Sequence, residues 1–446
     1  MDDNSKQGVN RSSEIGNIRN ILQSFKAKPD KAESVIFNWY GIPGIGKTCL
    51  GLMICLLCKN LDIPFARIDF DYEENPNANQ YNENPLLILE EIGIQLNKDI
   101  IKDIDVFHNR IKKVLKNSPI VIIFDTCEKV QENLLFWMED NVLNRLCNQG
   151  KSIVVWIGRY PQRWKNYNVR ERVKLDKLRP LDKKFTKEQV GKTGAKIYHL
   201  THGYPLGNKL INEKIISQDI ELNEKEMLKS LVEDILEAVI FKQIENDIKI
   251  AIITLSVLRQ FDLMIIEKIL VEFESEHFTE DTAFMRLIGR LTATSLVQWN
   301  PVLKGYSLDD TIRRILVKYL QTTLPEKYIN ISQKAADIYD KWIEQNRENR
   351  SIYIKERFFH LFNIKKYTKT SDNELTELCK NEIDLYMQKY NFDAASLIQL
   401  YEEIKNDEEL KDVAGTLVFQ NMLNIINDYK NNIDSSEIKE GSVYCA

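Results

Sequence analysis

The sequence predicts an α/β domain with a parallel sheet and a phosphate-binding loop, followed by a helical domain, a winged-helix domain and an all-α C-terminal region. Three observations predict it. Short apolar runs alternate with helical patterns up to about residue 180, as expected for strands buried on both faces of a parallel sheet. A glycine-rich octapeptide joins the first of these runs to an apolar helix. Beyond residue 180 the strand pattern almost vanishes, apart from a hairpin near Asn300-Pro301 that follows a series of helices. The expected domains are 1–180, 181–230, 231–324 and 325–446.

Each element has its own warrant. Ile15, Ile18, Ile21, Leu22 and Phe25 recur at helical spacing after a polar start, until Lys28-Pro29-Asp30 breaks the pattern. Ser34 to Tyr40 reads as the first buried strand, followed by the glycine-rich turn and an apolar helix ending near Lys59-Asn60. Pro64 to Phe70 is a second strand. Asp71 to Glu83, rich in Asn, Glu and Pro, is a loop, and helices follow over 85–97 and 104–116. Pro119 to Asp125 is a continuous apolar strand that ends in a carboxylate. A helix over 129–147 stops at Asn148-Gln149-Gly150. Ser152 to Gly158 is a further strand, and Arg172 to Leu175 a short one. Residues 183–270 are helical. Residues 292–308 form two short strands, and a helix through Ile312, Ile315, Leu316 and Tyr319 follows. From Pro325 to about 430 the pattern is all helical, without a fixed-period repeat, and its aromatic stripe reads as core.

Composition narrows the function. The chain has 446 residues, 43% hydrophobic and 28% charged, enough for about three cores at ~150 residues each. This excludes a disordered tail protein and a disulfide miniprotein. Lys and Arg number 61 against 66 Asp and Glu, a net charge of −5, so an electropositive clamp over the whole surface is excluded while a local basic patch stays open. Seven cysteines are scattered along the chain. The Cys55/Cys58 pair has metal-like spacing but lies in an apolar helix with no second pair, and reads as core. The polar, acidic start is no signal peptide. The longest apolar run, Cys49 to Cys58, falls short of the ~20 residues of a bilayer span. A cytoplasmic protein with no membrane partner is the expectation.

The chemistry concentrates in Gly41-Ile42-Pro43-Gly44-Ile45-Gly46-Lys47-Thr48, which fits GxxxxGK[ST] with a strand before it and a helix after it. Glycines let successive N–H groups converge on an anion, and the helix dipole adds to that nest. Lys47 supplies charge to the phosphates and the Thr48 hydroxyl suits Mg²⁺. Cys49, next in the helix, is taken with the loop as nucleotide-binding. Asp125 ends a strand at the carboxyl edge of the sheet, where it can hold Mg²⁺ through water. Glu128 can orient or deprotonate a water, or serve as a first-turn acid. Arg159 can sense a γ-phosphate, or be solvated.

On these residues the chain resembles the STAND class of P-loop NTPases, signal-transduction ATPases of NB-ARC and NACHT type, over roughly residues 8–320. Val9 to Glu14 is similar to the family's opening box, with Asn10 where glycine is usual, which implies Arg11 on the adenine and ribose side of the nucleotide. Gly41 to Thr48 and Ile120 to Asp125 match the two Walker motifs, and Arg159 falls at the first sensor arginine. Leu200 to Leu206 resembles the GxP box, which implies Pro205 near the base. Tyr306 to Arg314 resembles the end of the winged-helix domain. There Asp309 stands where relatives often carry a histidine on the β-phosphate of ADP. A carboxylate repels that phosphate, so the resemblance does not extend to this ADP lock.

The resemblance implies a nucleotide-gated conformational switch that binds ATP or ADP with Mg²⁺ and hydrolyses slowly, since no arginine finger is identifiable. It also implies a nucleotide-dependent homo-oligomer and a separately encoded protein effector, in bacterial defence or regulation. One rival is an origin-recognition-type AAA+ ATPase that binds DNA through Arg313, Arg314 and Lys318 on the last winged-helix helix. Another is a nucleotide-stabilised scaffold that never turns over.

Overall fold

The computed structural model describes residues 11–27, 32–97, 103–218, 223–301, 304–390, 392 and 394–443. Val9 and Asn10 of the opening box, the Lys28-Pro29-Asp30 break and Cys445 lie outside them. The described chain divides into two compact units, 1–243 and 244–446.

In the first unit α1 (Ser12–Ala27) buries Ile18, Leu22 and Phe25, the face its apolar spacing defines. Five strands follow in the expected places: β1 (Val35–Tyr40), β2 (Phe65–Asp69), β3 (Ile120–Asp125), β4 (Ser152–Gly158) and β5 (Val173–Lys177). They pair in parallel in the order β2-β3-β4-β1-β5. Every residue of β3 and β4 is buried, because parallel strands need crossover helices and those helices cover both faces. These are α2 (Lys47–Asn60), α3 (Leu86–Asn97), α4 (Ile104–Asn117), α5 (Glu132–Met138), α6 (Asn144–Gln149) and α7 (Tyr167–Arg172). The 129–147 helix is thus broken up: a 3₁₀ turn spans Cys127–Lys129, and a π segment, Glu139–Leu143, separates α5 from α6. The Asp71–Glu83 loop contains a 3₁₀ turn, Pro76–Gln80, capped by Asn75. The unit ends with α8 (Lys183–Val190), α9 (Gly194–Thr201), α10 (Pro205–Gln218), α11 (Glu224–Lys229) and a π-helical stretch, Ser230–Phe241.

Register places the chemistry. β2 pairs with β3 so that Arg67 lies beside Ile123 and Asp69 beside Asp125. Side chains alternate across a sheet, so Arg67, Asp69, Ile123 and Asp125 share one face. It is the face that α2 covers, since a Cβ on Gly51 would meet Asp125, Ile157 and Ile123.

The second unit opens with α12 (Asn246–Leu255), α13 (Leu263–Phe273) and α14 (Phe284–Ala293), then an antiparallel hairpin of β6 (Val297–Asn300) and β7 (Gly305–Leu308), then α15 (Asp310–Thr323). This is a winged-helix order. Six helices complete the unit: α16 (Pro325–Gln345), α17 (Arg350–Tyr367), α18 (Asp372–Tyr390), α19 (Ala394–Lys405), α20 (Glu408–Ala414) and α21 (Thr416–Val443). The aromatic stripe is core: Tyr328, Tyr339, Phe358, Phe359 and Phe362 are all buried.

Arg313 is not presented outward as DNA binding through it would require. It is 3% exposed, ion-paired to Glu409 and Asp310, and Arg314 is paired to Asp310. Its place in the helix is the reason: Arg313 shares the inward stripe with Leu316 and Leu320 at helical spacing. Asp309 caps α15, accepting from the amides of Thr311 and Ile312. Among the described residues no helix is long and apolar enough to cross a membrane. Nor does any group of three or more His, Cys, Asp or Glu there have metal-binding geometry, and Cys58 of the Cys55/Cys58 pair is buried.

Candidate functional site

The loop between β1 and α2 is anchored at both ends of its turn. Gly41 N–H donates to the Gly158 carbonyl at 3.2 Å, which ties it to the end of β4. Gly44 and Gly46 have φ of 73° and 95°, the left-handed region that side chains disfavour. This turn delivers the first amides of α2, which lack intrahelical acceptors, to one spot at the positive end of the helix dipole. Lys47 folds back over the loop, donating to the carbonyls of Gly41 at 2.8 Å and Ile42 at 2.9 Å. Burial pushes its ammonium down to about 8, with Glu128 and Asp125 pulling upward and Arg159 downward. The Thr48 side chain is exposed. Chemically this arrangement can receive an anion, with the Lys47 ammonium beside it.

A second wall comes from the turn before α10. Gly203, with φ of 79°, accepts at its carbonyl from Leu181 N–H at 2.9 Å, and a Cβ there would sit 1.7 Å from the Leu181 oxygen. No other residue fits. Tyr204 Oη donates to the Pro43 carbonyl at 3.0 Å and Leu206 N–H to the Gly44 carbonyl at 3.3 Å. Pro205 starts α10, and Gln189 Nε2 donates to its carbonyl at 3.0 Å. Between the two walls lies a cavity of about 300 Å³, lined by Gly44, Ile45, Gly46, Lys47, Thr48 and Cys49 on one side and Leu181, Gln189, Pro205, Leu206 and Lys209 on the other, with Arg11 and Met53. That volume is in the range of small-molecule sites. Burial raises the Cys49 thiol, with Arg11 pulling it down.

Arg11 is a brace as well as a lining residue. Its guanidinium donates to the carbonyls of Ile45 at 2.6 Å and Arg179 at 3.1 Å, and to Glu14 at 3.2 Å. Burial lowers its pKa, with Glu14 acting in the opposite sense. Arg11 and Pro205, which the resemblance implied for the nucleotide's base side, line the same cavity as Lys47. The sequence reading missed Gln189, Lys209 and the Tyr204 hydroxyl, which no local pattern marks.

The carboxylates lie under an unanticipated arginine. Arg67 Nη2 stands 2.5 Å from Asp69 Oδ2 and 2.8 Å from Asp125 Oδ2. Thr126 donates its amide to Asp125 Oδ1 and its hydroxyl to Asp69 Oδ1. Thr126 has φ of 57°, a costly conformation for a β-branched residue and one that clusters at functional sites. Burial raises the Asp125 carboxyl while Arg67 holds it down. Glu128 pairs with Arg159 at 2.8 Å, and its Oε2 is buried without a hydrogen-bond partner among the described residues. Gly158 lies beside this pair: a Cβ there would stand 3.5 Å from the Glu128 amide, at ordinary van der Waals distance. The period-2 pattern of Arg67 and Asp69 in β2 was the available signal, but only the register shows which strand end they meet.

Donor chemistry here suits a hard divalent cation. Carboxylate and hydroxyl oxygens are Mg²⁺ ligands, and each Asp125 oxygen keeps a lone pair beyond its present bond. Thr48 and Asp125 are the residues that would hold it.

No family model matches the chain, and no curated protein matches it in sequence. Among solved structures it is similar to the Aeropyrum pernix ORC2 protein in its ADP form (13% identity, 70% of this chain and 94% of that one, TM-score 0.43). It is also similar to a Walker-type ATPase, paby2304, of Pyrococcus abyssi (11% identity, 67% and 94%, TM-score 0.40). A third is the Thermotoga maritima RuvB Holliday junction branch migration motor (14% identity, 69% and 95%, TM-score 0.34).

Proposed function

We propose that the protein is an adenine-nucleotide-binding ATPase of the signal-transduction kind, a switch whose packing depends on the nucleotide held. One observation carries this reading: the phosphate loop and the Gly203-Tyr204-Pro205 turn are bonded to each other and wall one cavity. A ligand there touches both elements, so ATP and ADP can favour different packings only through their differential contacts with the two walls. Diphosphate goes to the loop amides and Lys47. The base goes toward Pro205, Leu206 and Met53, with Arg11 bracing the loop. Mg²⁺ on Thr48 and Asp125 would neutralise phosphate charge, and Glu128 would position a water with Arg159 nearby. Both carboxylates are already paired to arginines, which supports slow turnover. It equally favours the scaffold reading, in which nucleotide binds and no phosphate is released. The pairing of Arg313 and Arg314 with acidic residues weighs against DNA binding through α15.

The division of the chain at 180, 230 and 324, a nucleotide-dependent homo-oligomer and a separately encoded effector in bacterial defence or regulation belong to the same proposal. Calorimetry and sizing test it together. Wild-type protein is expected to bind ADP and ATP, and Lys47→Ala to bind them about 100-fold more weakly, as loss of a charged phosphate contact predicts. Unchanged affinity in Lys47→Ala refutes the phosphate site. Identical particles with ADP, ATP and a non-hydrolysable analogue refute the oligomer switch alone.

A further inference from the structure

The second unit contains a small cleft with no part in the nucleotide site. It lies between the start of α13, the foot of β7 and helices α16 and α17, and its enclosed part is about 50 Å³. Three rings line it: Trp342 and Tyr353 centroids are 5.2 Å apart, Tyr339 and Trp342 5.8 Å, and Tyr339 and Tyr353 6.1 Å. Gln260 lines it too. This side chain is 6% exposed, and its Oε1 has no hydrogen-bond partner among the described residues. A buried amide oxygen without a donor is unfavourable, so the cleft offers an acceptor that a ligand's donor can satisfy. Asp262 adds a carboxylate, of which Oδ1 caps α13 by accepting from Ile265 N–H at 2.9 Å. The backbone beneath is fixed, because Phe261 and Tyr306 exchange two hydrogen bonds of 2.8 Å. Exposed Lys304 also lines the cleft.

We propose that this cleft binds the guanidinium head of an arginine, free or carried on a peptide. Its space holds about four water-sized atoms at 10–15 Å³ each, which matches one guanidinium. The planar fork can donate to Asp262 and Gln260 Oε1 at once, while its face lies on an aromatic ring. An anion would meet the Asp262 charge. An apolar head would leave Gln260 unpaired, and an ammonium would lack the flat face. Lys304 opposes the bound charge and sets an upper limit on affinity.

Calorimetry on the full chain at constant ionic strength tests this, with N-acetyl-arginine amide as the free head and a capped Gly-Arg-Gly peptide as the carried one. Saturable millimolar or tighter binding is expected, at least ~10-fold weaker in Asp262→Asn, which keeps the helix cap. The capped lysine analogue should bind more weakly than the arginine one. Lys304→Ala should tighten binding, the reverse of what a carboxylate-bearing ligand would show. A peptide that binds more tightly than the free amide identifies a partner's side chain as the source, and equal affinity identifies a free ligand. Absence of saturable binding, or equal affinity in Asp262→Asn, overturns the proposal. Gln260→Leu gives an independent reading of the same loss should Asp262→Asn fail to fold.

Discussion

Two clusters in this molecule use the same chemistry, a guanidinium bridging two carboxylates, and use it to different ends. In the first unit Arg67 bridges Asp69 and Asp125 at the strand ends beside the phosphate loop. In the second, Arg259 bridges Glu356 at 2.9 Å and Asp407 at 2.7 Å, joining the α12–α13 turn to α17 and α20. The side chain of Arg259 is 10% exposed and lies over the Phe359 ring, whereas that of Arg67 is 21% exposed and its Nε has no hydrogen-bond partner among the described residues. The Arg259 guanidinium is therefore the more enclosed of the two and that of Arg67 the more reachable. The difference in enclosure of the two guanidinium groups makes Arg259 the better tie between elements and Arg67 the easier counter-ion to displace.

Removing the two arginines should separate these roles. Arg259→Met is expected to cost about 3–5 kcal/mol in the second unit, because it strands the buried Glu356 and the half-buried Asp407. Chemical denaturation should show that loss with or without Mg²⁺. Arg67→Met should cost about 1–3 kcal/mol, and Mg²⁺ with ADP should restore more stability to it than to wild type. If Mg²⁺ rescues both variants or neither, the distinction fails.

A pH titration sharpens the contrast further. His360 is fully buried, stacked on Tyr339, and both ring nitrogens lack partners among the described residues. Burial, with help from Arg259 and then Arg313, pushes its pKa down to about 3. Between pH 6.5 and 3 the unfolded chain therefore binds a proton that the folded chain refuses. Stability of the second unit should fall as pH drops through this window, by up to about 1.4 kcal/mol per pH unit. His360→Phe should flatten that slope. An unchanged slope in the variant would assign the acid sensitivity to other groups.

The smallest effect is expected at Arg314, whose pair with Asp310 is partly exposed. Arg314→Ala should change stability by less than about 1 kcal/mol and should leave no salt-dependent DNA affinity to lose. A measurable, salt-sensitive loss of duplex binding would revive the DNA reading.

The sequence made local features legible and left non-local ones hidden. Strand ends fell within a residue or two for β1, β2, β3 and β4, because continuous apolar runs between breakers are a local signal. The glycine-rich loop was legible for the same reason, since its glycines and lysine lie within eight consecutive residues. Strand order was not, and with it the meeting of Arg67 with Asp125, because register between β2 and β3 is set by packing 58 positions apart. Arg313 was offered as a DNA contact because its charge was weighed above its place in the stripe through Leu316 and Leu320. Pro205 was found through a resemblance. The bonds that dock its turn, from Tyr204 and Leu206, needed coordinates.

Hydrogen exchange with and without ADP most directly tests whether the loop and the Tyr204 turn grip one nucleotide. The account predicts that ADP slows exchange at the amides of residues 44–50 and, in the same titration, at 203–209, with both effects absent in Lys47→Ala. Slowing at the loop alone, or protection that persists in Lys47→Ala, would contradict it.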